Sequence, residues 1–267
     1  MIEKLDDIYY SKFRDLIYQA SGMTFTEINR PILESRLSEI SRQKQISYQE
    51  YYRLVSTNQS ELNSLLDAVT TNLTSFFRNL TQINTFKNEI LDEIIKTHPN
   101  HRIKIWSAGC STGEEPYTLA MILMDKLGPA WKIEIVASDI SYTVLMKASQ
   151  GFYPANKIAG IPPEYLAKYF TKKDDGYQVN DNIKSLIRFD YHNLKNDSGM
   201  RDFDVIFCRN VIIYFDQAAQ ENVISRFYQS MAKKGYLFLG HSESLLGMKT
   251  NFKFTKVGTT CLYMKEE

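Results

Sequence analysis

Two acids, Glu114 and Glu115, close a run of small residues, Ser107-Ala108-Gly109-Cys110-Ser111-Thr112-Gly113, that comes after a short apolar alternation at Ile103 and Ile105. The alternation reads as a buried strand. Pro116 suits the first turn of a helix, where its missing N–H is no loss. Strand, small-residue loop and helix are how an α/β sheet brings its backbone against a bound ligand. Gly109 and Gly113 permit that approach because neither carries a Cβ. The loop is no phosphate cradle, since it lacks both Gly-Lys-Ser/Thr and Gly-x-Gly-x-x-Gly. Two carboxylates here would repel a pyrophosphate but suit a ligand with a cationic centre and free hydroxyls or amines. S-adenosylmethionine has both. The same acids would equally sit exposed in an ordinary first turn, favoured by the helix dipole.

Further polar residues fall where strands should end. Asp139 closes the apolar run Ile133–Ser138, Asn193 comes after Leu186–Phe189, and Arg209-Asn210 after Phe203–Cys208. The carboxyl edge of an open α/β sheet is where ligands bind, and an acid there commonly holds ribose hydroxyls. Asp139 alone could be a helix cap, although Ser141 can fill that role, and a lone Asn is more often a turn residue. The coincidence across four strands carries more weight than any one of them. Upstream, Thr70-Thr71-Asn72-Leu73-Thr74-Ser75-Phe76-Phe77-Arg78 alternates polar with apolar and ends on an arginine. Read by itself, it is a helix connection whose two Phe belong to a core.

The elements that must carry these residues fall into two regimes. Residues 1–97 read as helices only. Tyr9, Phe13, Leu16, Ile17 and Ala20 keep a helical period up to Gly22, and Ile32, Leu33, Leu37 and Ile40 come after Pro31. Ser47-x-x-Glu50 is a capping box. Ser60 is expected to cap a fourth helix carrying Leu62, Leu65, Leu66 and Val69. Ile83, Phe86, Ile90 and Ile94 mark a longer one that His98-Pro99-Asn100 ends. From residue 102, strands alternate with helices, the pattern of a parallel sheet. The helices expected there are Ser141 to Gly151 and Gln217–Met231. Tyr236–Gly240 is a fifth strand, and Phe252–Val257 with Thr260–Met264 read as a closing hairpin. Residues 152–184 interrupt the alternation with a helix begun at Pro162-Pro163-Glu164 and a turn at Lys173-Asp174-Asp175-Gly176. This insert is either a recognition element or a plain connection.

A chain of 267 residues suits one large domain or two smaller ones. Its 43% hydrophobic and 24% charged residues are ordinary for a soluble globular protein. A net charge of +1 gives no global attraction to nucleic acid or membrane. Cys110, Cys208 and Cys261 are far apart and lack a metal-ligand spacing. The start shows no signal-peptide pattern and no run approaches a membrane span. A reducing, cytoplasmic setting is expected, with no metal, no nucleic-acid partner and no membrane insertion.

Taken with Phe207-Cys208-Arg209-Asn210-Val211-Ile212-Ile213-Tyr214-Phe215 and Gly240-His241-Ser242-Glu243, the motifs above give the chain a specific likeness. It resembles the CheR family, the chemotaxis receptor glutamate O-methyltransferases that use S-adenosylmethionine, over nearly its whole length. The resemblance implies a doubly wound, class I methyltransferase sheet of Rossmann type over 101–267, with a small β-subdomain insert at 152–184. An all-helical unit over 1–80 would dock the receptor and cover the cofactor, and 81–100 would be a linker helix. It further implies that Asn72, Thr74 and Arg78 close over the cofactor. Ala108, Gly109, Glu115 and Asp139 would hold it, Asp139 at the ribose, with Asn193, Leu194, Arg209 and Asn210 on the adenine and methionine side. Arg78 and Tyr214 would steer the substrate carboxylate.

Arg36 and Arg42 match the positions at which the family's basic helix meets the receptor's cytoplasmic helical bundle. Glu39 and Ile40, however, stand where well-known members are basic. Arg30, Arg36, Arg42 and Lys44 also lie around the helix rather than on one face. The compact turn at 173–176 lacks the Gly-rich loop of members that bind a receptor's C-terminal pentapeptide, which argues against tethering by that peptide. A monomer releasing S-adenosylhomocysteine is expected. The rivals are a methyltransferase acting on another carboxylate and a non-catalytic module that keeps the fold. Intact Arg78, Glu115, Asp139 and Tyr214 speak against the module. The missing glycine fingerprint speaks against a dinucleotide dehydrogenase.

Overall fold

Seven strands form one twisted sheet in the order β6-β2-β1-β7-β8-β10-β9, as the computed structural model shows for residues 5–266. The opening Met1–Lys4, part of the stretch read for a signal peptide, lies outside the described residues. The strands are β1 (Arg102–Ala108), β2 (Lys132–Asp139), β6 (Ile187–Tyr191), β7 (Phe203–Cys208), β8 (Met231–Leu239), β9 (Lys253–Val257) and β10 (Thr260–Met264). The first five are mutually parallel, and β10 pairs antiparallel with both β8 and β9, as the terminal hairpin predicts. The chain leaves β1 toward β2 and β6 on one side, then returns to place β7 and β8 on the other. Backbone therefore splays apart above β1 and β7, which is where open sheets of this class open a crevice.

Each face of the sheet is apolar because its strands are covered on both sides. Helix α7 (Glu114–Lys126) and α8 (Tyr142–Gln150) come after β1 and β2, and α11 (Gln217–Ser230) comes after the turn that leaves β7. One core joins Ile105, Leu119, Ile135, Val205 and Phe207, while the opposite one joins Trp106, Val136, Ile206, Phe227 and Leu237. Residues expected as a linker form α5 (Leu80–Thr85), a π-helical turn Phe86–Ile90, and α6 (Leu91–Thr97). Phe86, Ile90, Leu91 and Ile94 of this stretch are buried in the first core, with Phe86 edge-on to Phe207 at 5.3 Å. Its apolar stripe thus covers the sheet.

The insert holds a second sheet, ordered β3-β5-β4, from β3 (Phe152–Pro154), β4 (Phe170–Lys173) and β5 (Gly176–Val179). Helices α9 (Pro163–Tyr169) and α10 (Asp181–Lys184) flank it. The 173–176 turn joins β4 to β5, with Lys173 opposite Gly176.

The N-terminal unit is built of α1 (Asp7–Ser21), α2 (Arg30–Lys44), α3 (Tyr48–Thr57) and α4 (Gln59–Val69). Their stripes meet in a third core of Phe13, Ile17, Leu33, Leu37, Tyr51 and Leu65. The capping box at Ser47 is closed from both ends, Glu50 N donating to Ser47 Oγ and Ser47 N to Glu50 Oε2. The cap of α4 differs from expectation. Asn58, not Ser60, accepts from the Ser60 and Glu61 N–H groups, because Asn58 already has the extended backbone that an N-cap needs. This helical unit is clasped to the sheet by an antiparallel bridge between Met23 and Phe215. Tyr18 Oη also donates to Asp216 Oδ2 at 2.8 Å.

Candidate active site

A cavity lies between the helical unit and the carboxyl ends of β1, β2, β6 and β7. Its wall includes Met23, Phe25, Asn72, Thr74, Arg78, Gly109, Glu115, Asp139, Asn193, Leu194, Arg209, Asn210 and Tyr214. Every residue expected to meet the cofactor or the substrate carboxylate stands on this wall except Ala108, whose side chain is buried in the core beside Trp106 and Val136. The wall at that point is the backbone of Gly109. Arg36 and Arg42 lie elsewhere, on α2.

The loop after β1 is held by the end of β2. Gly109 N and Cys110 N both donate to Ser138 O, at 2.8 and 2.9 Å. Gly109 has φ +80°, and a Cβ there would stand 2.4 Å from Val211 Cγ2, so only glycine fits. Asp139 accepts from Ser111 N through Oδ2 at 2.9 Å and from Ser141 N through Oδ1 at 3.0 Å. Ser141 itself caps α8, leaving Asp139 free of that duty. Burial pushes the Asp139 carboxyl above its ordinary range, and the Ser111, Ser141 and Ile140 N–H groups pull it back. Each oxygen keeps acceptor capacity for a hydroxyl donor.

Glu115 is bound on both oxygens. Ser107 Oγ donates to Oε1 at 2.6 Å, and Arg209 Nε donates to Oε2 at 2.7 Å. The ion pair is nearly sealed, with side-chain exposures of 4% for Arg209 and 11% for Glu115. Arg209 Nη1 also donates to Arg78 O at 2.7 Å and to Gln82 Oε1 at 3.3 Å. Expected as a cofactor contact, Arg209 thus also ties the acid after β1 to the segment that covers the cavity.

That segment is anchored by its aromatic pair. Phe76 is edge-on to Tyr153 at 4.8 Å and Phe77 packs on Tyr165 at 5.1 Å. Phe77 N donates to Thr118 Oγ1 at 3.1 Å. Phe77 and Asn79 hold left-handed backbone, φ 51° and 61°, on either side of Arg78. Such a kink in non-glycine residues persists only where packing enforces it. Arg78 Nη1 donates to Leu73 O at 2.9 Å, and among the described residues its guanidinium has no carboxylate partner. Ser111 Oγ donates to Asn72 O at 3.3 Å, joining the cover to the loop.

On the β6 side, Asn193 Nδ2 donates to Ala20 O at 2.7 Å and its Oδ1 accepts from Lys195 N at 3.0 Å. Its side chain therefore both shapes a turn and holds the end of α1. Leu194 and Ile140 supply apolar wall. Tyr214 O accepts from Thr24 N at 2.8 Å, and the Tyr214 hydroxyl makes no hydrogen bond among the described residues. Cys110 faces the cavity, but burial and the nearby Asp139 and Glu115 keep its thiol protonated, so it is no nucleophile. His192, also on the wall, is pushed below its usual range by burial and stays neutral at neutral pH.

Sequence reasoning assigns no role to Met23–Phe25, to His192 or to Glu243. The first two carry no periodic or motif signal. Glu243 does, within Gly240-His241-Ser242-Glu243, but three of the four backbone N–H groups that donate to it lie about thirty residues away in the chain.

The chain is similar to known proteins over most of its length. Residues 72–261 match the family described as CheR methyltransferase, SAM binding domain, and residues 9–70 match CheR methyltransferase, all-alpha domain. "Chemotaxis protein methyltransferase 2" of Vibrio cholerae is 36% identical over 98% of this chain and 94% of its own length. The "Chemotaxis protein methyltransferase" of Borreliella burgdorferi is 37% identical over 90% of this chain and 89% of its own. That of Escherichia coli is 34% identical over 93% and 88%.

Proposed function

Because this chain belongs to the CheR methyltransferase family, we propose that it methylates glutamate side chains of chemotaxis receptors with S-adenosylmethionine, using the cavity between its two units. The observation that carries the reading is Arg78, a cation without a carboxylate partner on the wall of a cavity whose acids are braced from within. The donor set fits the cofactor. Asp139 would hold the ribose hydroxyls and Glu115 the cationic end. Leu194 and Ile140 would flank the adenine, and the bare backbone of Gly109 would allow close approach. When bound, S-adenosylmethionine supplies a sulfonium methyl whose C–S bond breaks as the C–O bond forms, leaving S-adenosylhomocysteine and a methyl ester.

The chain's own residues need neither a base nor a nucleophile for this reaction. A glutamate with a reference pKa of about 4.3 is already an anion at neutral pH. The requirement is to exclude water and align the attacking oxygen, and alignment can supply roughly 7–11 kcal/mol of barrier reduction. Arg78 would clamp one carboxylate oxygen in a charge-assisted bond. Tyr214, its hydroxyl unengaged, would aim the other.

Receptor docking would fall on α2 and the cavity mouth of a monomeric, cytoplasmic enzyme, against a helical bundle. Most of the basic charge on α2 is already paired: Arg30 with Asp7, Glu27 and Glu34, Arg36 with Glu39 at 3.6 Å, and Lys44 with Glu61 at 2.9 Å. Arg42 has no ion-pair partner among the described residues, so it would contribute more than Arg36. No described helix is long and apolar enough to cross a membrane. The test is incubation with labelled S-adenosylmethionine and receptor-containing membranes. Label released as methanol by mild base supports the reading. Base-stable label, or none, points to another acceptor or to a module without chemistry.

A further inference from the structure

One carboxylate, remote in sequence, holds the turn that presents Tyr214. Glu243 lies on the loop after β8, and both of its oxygens face backbone donors. Oε2 accepts from Gly240 N at 2.6 Å and Asn210 N at 2.7 Å, while Oε1 accepts from Val211 N at 2.9 Å and Ile213 N at 3.3 Å. Three of the four belong to the turn leaving β7, where strand pairing has ended and no ladder can satisfy them. That turn is tightly wound. Asn210 has φ 61°, and a short 3-10 turn, Ile212–Tyr214, starts two residues later. Gly240 leaves room for the clamp, since a Cβ there would stand 2.6 Å from Glu243 Oε2 and 2.8 Å from Asn210 N.

We propose that Glu243 is a positioning residue of the transfer step: by gathering the Asn210, Val211 and Ile213 N–H groups, it sets where the Tyr214 hydroxyl meets the substrate carboxylate. This rests on the role given to Tyr214 above. Charge-assisted bonds to backbone N–H groups are among the stronger ones, so the clamp resists displacement. Glu243→Gln keeps the shape but turns an amide N–H₂ toward one pair of donors, loosening half of the grip.

The test is a double-mutant cycle of Glu243→Gln with Tyr214→Phe, read by methyl-ester formation at saturating cofactor, together with S-adenosylhomocysteine affinity by calorimetry. In the native background Glu243→Gln should lower kcat by about tenfold or more, and in the Tyr214→Phe background by less than about threefold, because both act through one hydroxyl. Affinity for S-adenosylhomocysteine should fall by clearly less than kcat, which a general loss of structure would not allow. Equal losses in both backgrounds, or affinity falling in step with kcat, overturn the proposal. If Tyr214→Phe alone leaves turnover unchanged, the role of Tyr214 itself fails. Should Glu243→Gln not fold, Glu243→Asp decides, since it draws the carboxylate back from the turn without removing it, and the same pattern is expected.

Discussion

Replacing Arg78 separates clamping of the substrate from binding of the cofactor. One edge of its guanidinium is spent on Leu73 O, leaving the Nε–Nη2 edge to meet a carboxylate. Hydrogen bonds to a charged partner contribute about 1.5–3 kcal/mol each. Loss of this edge should therefore raise the barrier by about 3 kcal/mol, or about two orders of magnitude in kcat at about 1.4 kcal/mol per decade. Arg78→Ala should show that fall in ester formation at saturating S-adenosylmethionine. Arg78→Lys keeps the charge but not the fork and should recover only part of it. Tyr214→Phe, which removes a neutral hydroxyl, should cost less than Arg78→Ala. Calorimetry with S-adenosylhomocysteine reports the cofactor side separately. Unchanged kcat in Arg78→Ala, with only weaker cofactor affinity, would refute the clamp and leave Arg78 a cofactor contact.

The buried Arg209–Glu115 pair makes a second case. Arg209→Met strands a carboxylate that is only 11% exposed and frees Arg78 O, so thermal melts should show a loss of about 3–5 kcal/mol, near 10 °C. The double variant with Glu115→Gln should regain part of that loss, and a single-variant loss under about 1 kcal/mol would contradict a sealed pair. Glu114 gives a pH signature. It is fully buried, Oε1 has no hydrogen-bond partner among the described residues, and burial raises its pKa. The folded state then binds that proton more tightly than the unfolded chain, so stability falls as pH rises out of the carboxylate range. Glu114→Gln should accordingly melt higher than the native chain at neutral pH, with the advantage fading on acidification. An advantage that grows with acid would reverse the assignment.

Much of this molecule is legible from local pattern. The apolar runs from Ile103 to Cys208 give the parallel strands, and Asp139, Asn193 and Arg209 lie on the cavity wall because a strand's carboxyl end fixes the height of the next few residues. Where reading fails, the deciding partner is distant or its conformation is hidden. Ser60 looks like a cap until the extended backbone of Asn58 is seen beside it. For residues 81–100 the helical stripe does not say what it will cover, and the structure puts its Phe86 against Phe207 and Phe238. Arg209 reads as a ligand contact, and only the fold brings Glu115 and the carbonyl of Arg78 within its reach. Glu243 meets its donors on another loop about thirty residues back, a pairing that no spacing rule encodes.

The bridge between Met23 and Phe215, with the Asn193 amide on Ala20 O, makes the helical unit a structural wall of the cavity rather than an appendage. Swapping that unit for a relative's would therefore change two properties together. If the helical unit docks the receptor, as proposed, a chimaera carrying a foreign unit would inherit a foreign wall of the proposed methyl-donor cavity as well.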